Sequence, residues 1–214
     1  MTKIRFKYSK TGPAKYISNL DLMAVMQRAF LRAGIGLKYS EGFNPHPYIS
    51  VALPLPVGNE SICEMMDVGL KDEALPDINA VKLPEGLFIT EVYKPSRKFN
   101  EITWVEISCT LQYDDKTGSD IIIKLKECFD KDCIYISKKT KRGHKELDIA
   151  SFIKNIGFEL SESKSMVLLT AVVPAQNPTI NGTDILSVLG DDLSPVHAGI
   201  KRIGIFDPDM ILFT

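Results

Sequence analysis

His46 lies between two prolines in the run Tyr39-Ser40-Glu41-Gly42-Phe43-Asn44-Pro45-His46-Pro47. Pro47 pushes His46 toward an extended backbone, Pro45 restrains Asn44 in the same way, and Gly42 can take a conformation that other residues avoid. A loop with so few accessible shapes loses little entropy on binding, and Tyr39 and Phe43 give it aromatic faces for stacking. The same stiffness suits a tight crossover between strands, with Asn44 and His46 bonded to backbone groups. A third role for His46 is that of a general base, which needs a second acid or a lysine close by.

Arg28 and Arg32 are four residues apart and share a helical face. Their like charges repel, so the pair does not serve helix stability. Guanidinium forks match phosphate and carboxylate geometry, whereas a solvated face would use the same side chains to cover the core. A second basic run, Lys138 to Lys145, holds five Lys or Arg in eight residues. Lys139, Lys141 and Arg142 are its candidates for contact with RNA or a partner, and a loop of solvated lysines at a strand end is the competing reading.

Other chemistries find little support. The chain has no glycine-rich phosphate loop with a following lysine and no GxSxG elbow. His46, His144 and His197 are far apart in sequence, without an HExxH pairing, so no metal site is expected. Cys63, Cys109, Cys128 and Cys133 form no CxxC pair, which fits reduced thiols in a cytoplasmic protein. The glycines of Gly199–Gly204 read as strand or bulge positions. No apolar run approaches the roughly 20 residues that span a bilayer, and the first residues alternate charge with apolar side chains, unlike a leader. The expectation is a cytoplasmic protein with no membrane contact.

The elements that position these residues can be read from periodicity. Lys3–Tyr8 alternates as a strand, and Leu22, Met26, Ala29 and Ala33 mark one face of a helix over 20–33, capped by Ser18 or Asn19 and stopped by Gly34. Strands are expected at 48–53, 62–70 and 87–93, with a short helix from Pro76 to Leu83. The second half repeats the order. It has an alternating strand over 103–113, a helix opened by Ser119 or Asp120 and running to Phe129, and a strand at 133–139. A hairpin over 152–160 and 166–173 follows, then a short helix opened by Thr183 or Asp184, and a last strand at 199–206. This predicts an α+β protein: two ferredoxin-like βαββαβ modules in tandem, with antiparallel sheets and helices on one face, the equally simple alternative being one continuous antiparallel sheet. The expected domains are 1–97 and 98–214, joined near a linker at Pro95-Ser96-Arg97-Lys98.

Four strings are long and unusual: Tyr16 to Asp21, Arg28-Ala-x-x-Arg32-Ala-Gly, Tyr39-Ser40-x-Gly-Phe-Asn-Pro-His-Pro47, and Leu53-Pro-Leu-Pro-Val-Gly58. On these the chain resembles the radical SAM-linked protein family, a bacterial domain of unknown function fused behind, or encoded beside, a radical S-adenosylmethionine protein. The resemblance implies a non-catalytic accessory protein that binds such an enzyme, a structured RNA such as tRNA or rRNA, or both. The iron–sulfur cluster and S-adenosylmethionine would then belong to the partner, and this chain would hold no cofactor. Two other functions compete: a metal-independent endoribonuclease using His46, by analogy with CRISPR repeat-processing ribonucleases, and a pure protein-interaction adaptor.

Composition bounds these choices. The chain has 214 residues, 44% hydrophobic and 25% charged, with a formal net charge of −1, values ordinary for a globular protein and unlike a disordered or wholly cationic one. The charge is unevenly spread: residues 1–59 hold eight basic and two acidic side chains, and the other 155 hold 18 basic and 25 acidic. The motif-bearing end is the basic end, with Tyr8, Tyr16, Tyr39, Phe43 and Tyr48 interleaved, as an RNA-contacting patch requires.

Overall fold

The computed structural model describes residues 2–114, 120–140, 143–161 and 165–214, with the side chains of 139 and 140 left aside. The chain is α+β, built mostly of antiparallel strands with three helices among the described residues. It divides into two compact units, Met1–Glu101 together with Thr214, and Ile102–Phe213.

In the first unit β1 (Thr2–Lys10) turns one face, Ile4, Phe6 and Tyr8, into a core shared with Leu22, Met26, Ala29 and Phe30 of α1 (Asn19–Arg32). The Phe6 and Phe30 rings meet at 4.6 Å between centroids. Ser18 caps α1 by accepting from the Asp21 amide at 3.2 Å, and Gly34, at φ +75°, ends it. Next come β2 (Ile49–Val51), β3 (Glu60–Leu70) and β4 (Leu87–Tyr93). All pairings are antiparallel, in the order β4-β1-β3-β2, with Phe6 opposite Met66 and Ile49 opposite Val68.

The helix expected from Pro76 to Leu83 is a single 3-10 turn, Ile78–Ala80. The Asp77 carboxylate accepts from the amide and the side chain of Asn79, at 2.9 and 3.0 Å, which favours a tight turn. Pro84 then bars Leu83 from helical backbone.

The opposite face of β1 carries Lys3, Arg5 and Lys7, of which Arg5 is buried. Arg5 is fully buried, with Nε 2.7 Å from Asp67 Oδ1 and an NH2 group donating to the Arg97 carbonyl at 2.8 Å, beneath the Phe99 ring at 4.2 Å. The stretch expected as a linker, 95–98, is therefore held by Arg5 to the first unit. The division of the chain falls after Glu101, whose carboxylate accepts from the Lys98 amide at 2.7 Å.

The second unit contains β5 (Trp104–Gln112), α2 (Asp120–Phe129), β6 (Tyr135–Thr140), β7 (Gly143–Asp148), β8 (Lys154–Leu160), β9 (Met166–Pro174), α3 (Gly182–Leu186) and β10 (His197–Phe206). Its main sheet runs β10-β5-β9-β8, antiparallel throughout. Val105, Ile107, Cys109 and Leu111 are buried opposite Val173, Ala171, Leu169 and Val167, as the alternation requires. Asn181 caps α3, one residue before the helix, through a reciprocal bond pair with Asp184. Asp120 begins α2, and Ser119, the other expected cap, lies outside the described residues.

One element departs from expectation. The strand expected at 133–139 pairs with β7 in a separate two-stranded ribbon, and the basic run, read as a loop, supplies much of it. Ile136 is buried and Leu147 opposite it is half-buried, which gives the ribbon one apolar face that a list of lysines conceals.

Candidate functional site

The proline-framed loop is closed at its neck by backbone bonds. The Ser40 amide donates to the His46 carbonyl at 2.8 Å, the His46 amide to Ser40 Oγ at 2.9 Å, and the Tyr48 amide to the Lys38 carbonyl at 3.0 Å. Tyr39 and Pro47 form an isolated bridge, and the Lys38 amide donates on to Gly69 of β3 at 2.8 Å. The neck is thus continuous with the sheet, while the tip carries no burial: Phe43 is fully exposed, next to Gly42 at φ +114°. An unburied phenylalanine on a braced turn has no role in the core.

Between this loop and the first half of α1 runs a groove of about 360 Å³, lined by Leu20, Met23, Ala24, Gln27, His46, Pro47 and Ile49. Gln27 Nε2 donates to the Tyr39 hydroxyl at 3.3 Å and so ties the helix to the neck. Leu20 is 75% exposed, and Tyr16 and Tyr48 add exposed rings on the flanking segments. Five of the seven lining side chains are apolar, and Gln27 and His46 are its polar groups. Such a surface can accept a large apolar or planar group and orient it with two hydrogen-bonding side chains.

Tyr39, Phe43, Asn44 and His46 therefore share one loop, with Asn44 and His46 both exposed. Among the described residues the His46 ring has no hydrogen-bond partner, and its contacts run through the backbone. Arg28 and Arg32 are exposed on α1; Arg32 donates to the Lys82 carbonyl at 3.2 Å, and Arg28 forms no ion pair among the described residues. Lys139 lies on β6 opposite His144, in the second unit, whereas Lys141 and Arg142 lie outside the described residues. Lys138 is engaged by Asp184. Leu20, Met23, Ala24 and Ile49 were not anticipated as site residues. Their signal was present in the sequence as a second apolar row on α1, beside the row that is buried.

Register also changes the electrostatics. Of the eight cations in residues 1–59, Arg5 is paired with Asp67 and Lys7 with Glu91 at 3.0 Å. Lys10 is buried, donating to the Ile17 carbonyl at 2.6 Å; burial lowers its pKa, against an opposing pull from Glu64. All three carboxylates come from later strands, and among the described residues the other five cations, Lys3, Lys15, Arg28, Arg32 and Lys38, pair with no carboxylate. Among the described residues no helix is long and apolar enough to cross a membrane.

Residues 3–181 match the family described as "Uncharacterized protein conserved in bacteria (DUF2344)". No curated protein matches the chain. Among solved structures it is similar to a chain of a "Crystal Structure of a Cbf5-Nop10-Gar1 Complex", at TM-score 0.45 and 14% identity, over 92% of this chain and 48% of that one. The chain thus spans about half the length of that structural relative.

Proposed function

This chain belongs to that bacterial family of uncharacterized proteins, and we propose that it is a non-catalytic accessory protein of a radical SAM enzyme, binding the enzyme, its structured RNA substrate, or both. The observation that carries the reading is the braced loop, which holds the fully exposed Phe43 and lends His46 and Pro47 to an apolar groove. Aromatic anchors presented on rigid supports at the centre of a patch are the usual source of binding energy in protein interfaces. The radical chemistry, with its iron–sulfur cluster and S-adenosylmethionine, belongs to the partner. In the chain alone, the five first-unit cations without a carboxylate partner among the described residues and the Lys139–Arg142 run supply the RNA contacts.

Two further parts of the proposal concern architecture. Each unit is taken as a ferredoxin-like module; the order β4-β1-β3-β2 in one and β10-β5-β9-β8 in the other supports this. The β6–β7 ribbon is an insertion in the second module.

Co-expression with a radical SAM protein from the same bacterium, followed by nuclease treatment and co-purification, tests the docking half. The expected result is a complex that survives nuclease and is lost on Phe43→Ala. Failure of the two proteins to co-purify at any salt concentration would refute it.

A further inference from the structure

Besides its buried face, α1 carries a second row at three- and four-residue spacing: Leu20, Met23, Ala24, Gln27 and Leu31. The row covers three helical turns, roughly 16 Å, and its ends, Leu20 and Leu31, are 75% and 49% exposed. A helix apolar on two sides needs a second packing partner. The near half of this row is one wall of the groove, whose other wall is His46 and Pro47.

From this we infer that the α1 row and its groove receive an amphipathic α-helix of the partner polypeptide. One of its large apolar residues sits between Met23 and Pro47, and a carboxylate faces Arg28. The inference rests on the accessory reading above and specifies the chemistry of its partner. Spacing supports a helix, because ridges at three- and four-residue intervals interdigitate with those of another helix. Charge supports the carboxylate. Arg28 lies about 80° round the helix from Leu20, flanking the row, and makes no ion pair among the described residues. Arg32 follows one turn later on the same flank. Nucleic acid is a poorer occupant of this groove, since its lining is mainly aliphatic and holds no lysine or arginine to meet a phosphate.

The test uses the full chain in complex with the radical SAM protein that co-purifies with it. Benzoylphenylalanine is placed at Met23, or at exposed Phe88 of β4 as a control, and the products of irradiation are mapped. The expected product joins Met23, and not Phe88, to an amphipathic helical segment of the partner. Arg28→Glu should weaken the complex about tenfold without changing thermal unfolding, and reversing the sign of the crosslinked partner's acidic residue should restore it. A complex that forms with no crosslink at Met23, or with the crosslink on RNA, overturns the helix inference and leaves the accessory reading standing. Absence of any complex removes both.

Discussion

Cys109 is fully buried in the middle of β5, and burial pushes its thiol up from 9.0 to about 12. In the unfolded chain the same thiol ionises near 9.0, so between pH 9 and 12 the unfolded state has lost a proton that the folded state keeps. Stability therefore falls with rising pH in that window, by about 1.4 kcal/mol per pH unit from this residue. Tyr93 and Tyr113, also raised by burial, act in the same direction, while buried Lys10, whose pKa is lowered, acts in the opposite one. Urea unfolding from pH 8 to 11 should show the decline, and Cys109→Ala should flatten it. An unchanged slope in the variant would mean that the decline originates elsewhere. Cys133, by contrast, is exposed and should be alkylated in the folded protein.

At the scale of elements, β4 begins where Gly86 meets the turn after β1. The Thr11 amide donates to the Gly86 carbonyl at 2.8 Å, with Gly86 at φ +86°. A Cβ there would lie 2.0 Å from the Thr11 carbonyl oxygen, on rigid backbone. Gly86→Ala should therefore cost about 3 kcal/mol, read as a lower urea midpoint at unchanged m-value. Gly42→Ala meets no atom within 4 Å and should cost less, although its φ of +114° is also unfavourable. What was legible in the sequence follows the same logic of locality. Ser18, the Leu22–Met26–Ala29 face and Gly34 define α1 through contacts a few residues apart, and the structure keeps all three. The alternating residues of β5 likewise announce their burial. The β6–β7 ribbon was not legible, because its apolar face rests on Ile136 and Leu147 amid lysines. The groove was half legible: the loop's prolines are conspicuous, but that it lies against Met23 depends on pairing between Lys38 and Gly69 far along the chain.

For the whole molecule, the charge map is where sequence and structure part most. Counting along the chain gives the first 59 residues eight cations; pairing of β1 with β3 and β4 engages three of them. No sequence window reveals this, since Arg5 and Asp67 are 62 residues apart. The consequence for RNA is quantitative. With five cations available, the first unit by itself should make log K for a single strand fall with log salt at a slope of about 3.5, where eight would give about 5.6, and each contact from the second unit adds about 0.7. Fluorescence anisotropy of labelled RNA at several salt concentrations measures it. A slope near 3.5 that drops with Arg28→Ala fits the first unit as the contact, and a steeper one requires cations of the second.

The full exposure of Phe43, together with that of Leu20 and Tyr16, has a consequence for cell physiology. A copy of this protein made in excess of its partner displays the kind of apolar surface that chaperones and proteases sample. On the accessory reading proposed above, its tolerated abundance would be set by the supply of the enzyme that covers it, and balanced synthesis of the two chains would follow from the fold itself.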